Sequence, residues 1–259
     1  MCTFAFYFQM FSDYPIIAAA NRDESLSRPS APPIRLWDSP WVYGGQDLLA
    51  GGTWLGINQH GMLVAVLNRH TPSLPDPQRR SRGLLCLDAL KQRSVGAAVN
   101  WVMAQSVDTY NPFNLVIADA VEAYVIYGQP GARDLTRLIP GFHLLTNYNV
   151  NDQRCFRTVD TSARFTDIAF HTAGLLSHQE QIFSQLHVIM ATHATGKDPR
   201  AGVCLHHNGY GTCSSTLLAL SAVERRYTYA FAPGPPCRHT YSEVSIPLGG
   251  AINHPPSTT

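Results

Sequence analysis

Cys2 stands directly behind the initiator methionine and is followed by Thr3–Gln9, a run without a charged residue. Removal of Met1, which the small residue at position 2 favours, gives that cysteine a free α-amine beside its thiol. An α-amine ionises near pH ~8 and a thiol near ~8.5, so one residue supplies both a nucleophile and the base that activates it. Without that chemistry, a cysteine near a chain start is a small buried hydrophobe. The rest of the chain has to decide between the two.

Several polar residues stand where apolar runs stop. Asn68 and Asn147 each close a strand-like run, and an asparagine there also serves as a turn residue accepting a local backbone bond. Arg22 and Asp23 follow the apolar stretch Pro15–Ala20. They read either as a buried ion pair or as a bracket round the nucleophile, Asp23 bonding the α-amine and Arg22 lowering the thiol pKa. Trp54 lies in Gly51-Gly52-Thr53-Trp54-Leu55-Gly56, where it packs against a pocket or fills the core.

The bulk composition excludes other functions. The 259 residues carry a net charge of +1 with scattered basic residues, which gives nucleic acid no electrostatic footprint. No stretch reaches the about 20 apolar residues of a membrane span, and no basic segment precedes the first apolar run. A cytoplasmic protein is expected. Six cysteines without CxxC spacing argue against structural zinc and a disulfide framework, and His206-His207 has no HExxH or His-x-His set beside it. Neither a metal nor a cofactor is expected.

Charged residues make up only 14% of the chain, so much of it should be interior. Thr3–Gln9 and Pro15–Ala20 read as a hairpin that sets Cys2 at a strand end. Ser27–Pro40, rich in proline and serine, reads as an irregular surface excursion. Thr53–Asn58 and Met62–Asn68 form a second hairpin about Gln59-His60-Gly61. Pro72, Pro75 and Pro77 with Arg79, Arg80 and Arg82 make a polar loop before helical spacing over Gly83–Lys91 and Val95–Ser106. A third hairpin joins Phe113–Asp119 to Ala123–Tyr127, and Gly141–Asn147 adds a strand. Ser177–Thr192 has the clearest amphipathic helix pattern. Gly202–His206, Ser214–Ala222, Arg226–Phe231 and Thr240–Ser245 return to strands, with Ser214-Ser215-Thr216 as a tight turn entering one, and 250–259 reads as a frayed tail. This order predicts a single α+β domain over residues 1–259, a four-layer αββα sandwich of two mostly antiparallel sheets.

Asn21-Arg22-Asp23-Glu24 spells the tetrapeptide of the NRDE family, also called the transport and Golgi organisation protein two family. The chain resembles that family in Met1-Cys2, Ala19–Glu24, Ser27-Arg28-Pro29, Gly51–Gly56, Gly61–Asn68, Asn114-Leu115, Thr146-Asn147 and Tyr210–Thr216, in the family's order. More distantly it resembles N-terminal nucleophile hydrolases of the cholylglycine hydrolase and penicillin V acylase type, which begin Met-Cys and cut linear amides. That resemblance implies that Asn68 and Asn147 orient the tetrahedral intermediate, with the Asn68 amide as an oxyanion donor; with Cys2 and the charged strand end Arg22-Asp23 beside it, they make the expected catalytic set. Substrate contacts are expected from Asn21, Trp54, Arg154, Arg157 and Ser214. The family usually has an arginine where this chain has Cys213, which implies a different substrate or weaker binding. The resemblance also implies an alternative role as a non-catalytic binding or trafficking protein for haem or acyl-CoA-type lipids, linked to Golgi organisation and secretion.

Overall fold

A strand covered on both faces reads as an unbroken apolar run, and the run behind Cys2 is one of these. Its even residues Phe4, Phe6 and Phe8 point between two sheets, while Ala5 and Tyr7 point outward at helices. The computed structural model describes residues 2–72, 74–172, 179–194, 198 and 201–249. Along the chain come β1 (Thr3–Phe8), β2 (Ile16–Ser25), β3 (Ser30–Asp38), β4 (Trp41–Asp47), β5 (Leu55–Asn58), β6 (Leu63–Asn68), α1 (Arg82–Leu90) and α2 (Val95–Met103). Then follow β7 (Phe113–Ala118), β8 (Ala123–Gln129), β9 (Ala132–Arg137), β10 (Gly141–Leu145), α3 (Phe156–Thr172) and α4 (Gln179–Met190). The chain closes with β11 (His206–His207), β12 (Tyr210–Ser221), β13 (Arg226–Ala232) and β14 (Ser242–Pro247).

The first sheet has the order β10-β1-β2-β12-β13-β14, with β11 also pairing β12, and the second runs β3 to β9 in chain order. Every pairing between these strands is antiparallel. Between the sheets, Phe4, Phe6, Ala18 and Leu218 meet Tyr43, Leu55, Ile57 and Leu63. The helices α3 and α4 cover the outer face of the first sheet, where Phe165, Ile182 and Leu186 pack on Tyr7, Ile17 and Leu217. On the second sheet α1 and α2 do the same, with Leu85, Leu90 and Val99 over Val64, Leu115 and Ile126. The layers are therefore α, β, β, α, as the element order predicts.

The structure departs from the sequence reading at several elements. β2 does not stop at Ala20 but runs through Asn21-Arg22-Asp23-Glu24, because β12 pairs it along that whole length. Ser27–Pro40 is largely an edge strand, β3, whose Pro32 and Pro33 fall at a register irregularity between Ala31 and Ile34 where no ladder donor is needed. β4 was hidden by Gly44-Gly45, yet a Cβ on Gly45 would stand 2.5 Å from the Trp54 indole, so the glycine makes room for that ring. α3 was hidden because its inward stripe is Arg157, Thr158, Thr161, Phe165 and Ile168, polar at its first turns. Gly202–His206 contributes only the two-residue β11, paired to β12. Ser214–Thr216 is the interior of β12 rather than a turn, next to a bulge between Thr212 and Ser214. The expected tail 250–259 lies outside the described residues.

Candidate active site

The first sheet sorts its polar residues by strand alternation. Ala18 and Ala20 of β2 face the inter-sheet core, and Ile17 and Ala19 face the helices. Continuing that alternation sends Arg22 to the inter-sheet side and Asn21 and Asp23 to the helix side. Cys2 likewise packs against the inter-sheet core, one position ahead of Thr3, which pairs with Asn21. Arg22 and Asp23 therefore point apart and do not pair with each other.

Asp23 is paired instead from α3. Arg157 Nη1 donates to its Oδ2 at 3.0 Å and to Thr3 Oγ1 at 2.7 Å, while Thr212 Oγ1 donates to Asp23 Oδ1 at 2.7 Å. The Tyr210 hydroxyl donates to the Asp23 carbonyl at 2.8 Å, and Cys2 Sγ lies 3.6 Å from that same oxygen. Asn21 Nδ2 donates to the carbonyls of Met190 and Val203, each at 2.9 Å. Asn21 and Arg157, expected to touch substrate, thus stand behind the sheet and fasten helices and a loop to it. Arg154, also expected there, is exposed and paired with Asp152 at 2.5 Å.

On the other side of β2 opens a cavity of about 630 Å³ whose lining includes Cys2, Arg22, Asp23, Glu24, Trp54, Asn68 and Arg82. The Arg22 guanidinium sits 4.5 Å from the centre of the Trp54 ring, and among the described residues its Nη1 is buried without a hydrogen-bond partner. Ser214, opposite Arg22 in the β2–β12 register, has a buried Oγ with no hydrogen-bond partner among the described residues. Asn147 Oδ1 is in the same condition. The last residue of β10, Leu145, pairs with Phe4, and Asn147 and Cys2 each stand two residues beyond that pair, just past the strand ends. Asn147 and Ser214 do not bound the cavity itself.

The two sheets are laced together at this end. His70 N donates to the Asn147 carbonyl at 2.8 Å, and Asn114 Nδ2 donates to the carbonyls of Thr146 and Tyr148 at 2.9 and 2.7 Å. These bonds hold Asn68, at the end of β6, and Asn147, just after β10, in fixed relation.

Burial pushes the Cys2 thiol up from its ordinary value, opposed first by the positive amino terminus and more weakly by Arg22, with Asp23 acting in the same direction as burial. A raised value keeps the sulfur protonated at neutral pH, so attack on a carbonyl needs a base at that moment. Arg82 opens α1 and donates from Nη1 to the Pro112 carbonyl at 2.9 Å, and burial lowers its pKa. The helix begins at the cavity, with Ser81 Oγ capping Gly83 N at 3.1 Å, so its positive end adds to the arginines there. Arg28 is neutralised by Asp47 at 2.6 Å. Cys213 occupies the bulge in β12, its Sγ 3.5 Å from the carbonyls of Glu24 and Gly211.

Arg82, Thr212, Tyr210 and Asn114 were not foreseen as parts of this arrangement. Arg82 carries a signal in retrospect, since a cation placed at a helix start is electrostatically unfavourable and calls for a partner anion. The other three act through strand register, which a single sequence does not reveal.

Two facing antiparallel sheets between helix pairs, with a cysteine leading the first strand to an inter-sheet cavity, make the fold of the N-terminal nucleophile hydrolases. Among solved structures the chain is similar to the Caenorhabditis elegans N-acylethanolamine-hydrolyzing acid amidase ortholog, with a TM-score of 0.58 and 15% identity over 84% of this chain and 92% of that one. It is also similar to penicillin V acylase from Agrobacterium tumefaciens, with a TM-score of 0.55 and 14% identity over 91% and 84% of the two chains. At these identities the fold alone is shared. The chain belongs to the Transport and Golgi organisation 2 family, whose profile matches residues 1–230. The Homo sapiens Transport and Golgi organization protein 2 homolog is 30% identical over 232 residues, 81% of this chain and 83% of the human one. Among the described residues no helix is long and apolar enough to cross a membrane.

Proposed function

We propose that the chain is a cytoplasmic N-terminal cysteine hydrolase of linear amides, active once Met1 is removed. One observation carries this reading: Cys2 shares a cavity with Arg22 and Asn68, and Arg22 Nη1 is buried without a hydrogen-bond partner among the described residues. An unsatisfied buried polar group costs roughly 1–3 kcal/mol, which a ligand oxygen in that place recovers.

In this mechanism Cys2 Sγ attacks the amide carbon and its proton passes to the residue's own α-amine. The raised thiol pKa makes that base necessary. Asn68 and Asn147 amides stabilise the oxyanion. The ammonium then protonates the leaving nitrogen as the C–N bond breaks, and water cleaves the thioester with the α-amine again as base. Asp23, held by Arg157 and Thr212, fixes the strand end from behind. Of the carboxylates lining the cavity, Asp23 is paired with Arg157, Asp47 with Arg28 and Asp76 with Arg79, so Glu24 alone faces the two cations Arg22 and Arg82, and the preferred substrate carries an anionic group.

A panel of N-acyl amides with and without a carboxylate, given to protein whose intact mass lacks Met1, tests this. Turnover is expected for the wild type and not for Cys2→Ser. Active material that retains Met1 would overturn it.

The same two arginines favour a second reading, a non-catalytic carrier of haem or an acyl-CoA-type lipid, whose propionate or phosphate groups they would hold. A saturable response to haem or to a lipid thioester that survives Cys2→Ser and disappears in Arg22→Gln would select it over the hydrolase.

A further inference from the structure

On the helix side of the first sheet, away from the cavity, a different set of side chains converges. His193 follows α4, Cys204 lies in the loop ahead of β11, His206 opens β11, and Cys237 lies between β13 and β14. One potential ligand atom from each falls within 4.8 Å of all the others. Cys204 Sγ is 3.6 Å from Cys237 Sγ and 3.7 Å from His206 Nε2, and His206 Nε2 is 3.2 Å from Cys237 Sγ. The His193 and His206 rings stand edge to face with centres 5.0 Å apart.

We infer that these four side chains form a binding site for a single zinc ion. Around tetrahedral zinc, with Zn–S of about 2.3 Å and Zn–N of about 2.0–2.1 Å, two sulfurs lie about 3.8 Å apart and a sulfur and a nitrogen about 3.6 Å apart. The Cys204–Cys237 and Cys204–His206 separations are close to these, the His206–Cys237 separation of 3.2 Å is shorter, and His193 lies within 4.8 Å of all three. These separations also exclude a two-iron cluster, whose cysteine and histidine ligands sit on different irons and so lie farther apart. Two thiolates with two imidazoles in a tetrahedral arrangement select zinc over harder cations. Four protein ligands leave no open position, so the ion is structural and not a second catalytic centre. Binding releases the two thiol protons to solvent, leaving Zn²⁺ on two thiolates and two neutral imidazoles.

The backbone around the ligands is closely built. Cys204 N donates to the Thr192 carbonyl at 2.9 Å, and a Cβ on Gly202 would stand 2.5 Å from Ala194 N. The ion would therefore lock the segment after α4, the loop before β11 and the β13–β14 connection to one another. That loop reaches the proposed active site: Leu205 N donates to Thr212 Oγ1 at 2.9 Å, and Thr212 Oγ1 donates to Asp23.

The ligands were invisible as a motif because they come from positions 193, 204, 206 and 237, with no CxxC pair among them.

The test is the metal content of the full chain purified under reductant, read by elemental mass spectrometry, for the wild type and for Cys204→Ser, Cys237→Ser and the control Cys213→Ser. The expected result is about one zinc per chain in the wild type and in the control, and at least a ten-fold loss in the other two. Because either variant may fail to fold, reduced and metal-stripped wild type is also titrated with Co²⁺. Saturation at one equivalent, with the visible bands of a tetrahedral centre and thiolate charge transfer, supports the site. No zinc and no cobalt uptake by the wild type, full zinc in Cys204→Ser, or a Cys204–Cys237 disulfide in reductant-treated protein would each overturn it. None of these readouts depends on amide hydrolysis, so the failure of either proposal leaves the other standing.

Discussion

Asp23 and Arg157 meet at 3.0 Å with neither side chain exposed, joining β2 to α3 across 134 residues of chain. Removing one partner of such a pair strands the other as a buried charge, at a cost of about 3–5 kcal/mol. Arg157→Met should therefore lower the melting temperature by roughly 10 °C, given about 2–4 °C per kcal/mol for a chain of this size. Arg154→Met, which removes an exposed partner of Asp152, should leave it where it was. Thermal unfolding of the two variants side by side checks this, and equal shifts would contradict it.

Cys2 tests chemistry against packing. Cys2→Ser is expected to abolish turnover while moving the melting temperature by no more than about 2 °C, since serine nearly matches the cysteine's volume at a half-buried strand end. An equal loss of both would assign the thiol to the core.

The raised Cys2 pKa has a definite sign with pH. The folded chain keeps the thiol proton in a range where the unfolded chain has lost it, so this group's contribution falls as pH rises above the unfolded value near ~8.5. Wild type should therefore lose more stability than Cys2→Ser between neutral and alkaline pH. Alkylation of Cys2 by iodoacetamide should also have its midpoint above that of a free thiol. A midpoint below it would show a thiolate held by Arg22 instead.

Asn68→Ala and Asn147→Ala each remove a donor proposed to act in the transition state. Loss of one oxyanion donor is worth roughly 3 kcal/mol, so kcat should fall about a hundred-fold with KM little changed. Since Asn147 Oδ1 has no hydrogen-bond partner among the described residues, its variant should fold normally. A raised KM alone would contradict the assignment.

Gly45 and Trp54 are coupled by shape. A Cβ on Gly45 would stand 2.5 Å from the indole on which Arg22 rests, so Gly45→Ala should cost about 1–3 kcal/mol by overpacking. Most of that cost should disappear when Trp54→Ala is present as well. A double-mutant cycle by denaturant unfolding reads the coupling, and additive effects would contradict it.

The fold was legible where hydrophobic pattern and layer agree, as in Thr3–Phe8 and the α4 stripe of Ile182, Phe183, Leu186 and Met190. It was illegible where tertiary partners replace local pattern. α3 turns Arg157 inward because Asp23 waits there, and β3 tolerates Pro32-Pro33 because one of its edges is free of pairing. For the site, Cys2, Arg22, Trp54 and Asn68 line one cavity. Asn21, Arg154 and Arg157 do not, since alternation along β2 and the position of α3 are properties of the packed sheet.

Acylation of Cys2 is the step that separates a hydrolase from a carrier. Protein starting at Cys2 is mixed with excess N-acyl amide, quenched in acid and mapped by peptide mass spectrometry. The expected result is the acyl mass on the peptide carrying Cys2, absent from Cys2→Ser. Acylation of another cysteine that persists in Cys2→Ser, or turnover without any acyl adduct on Cys2, would contradict it.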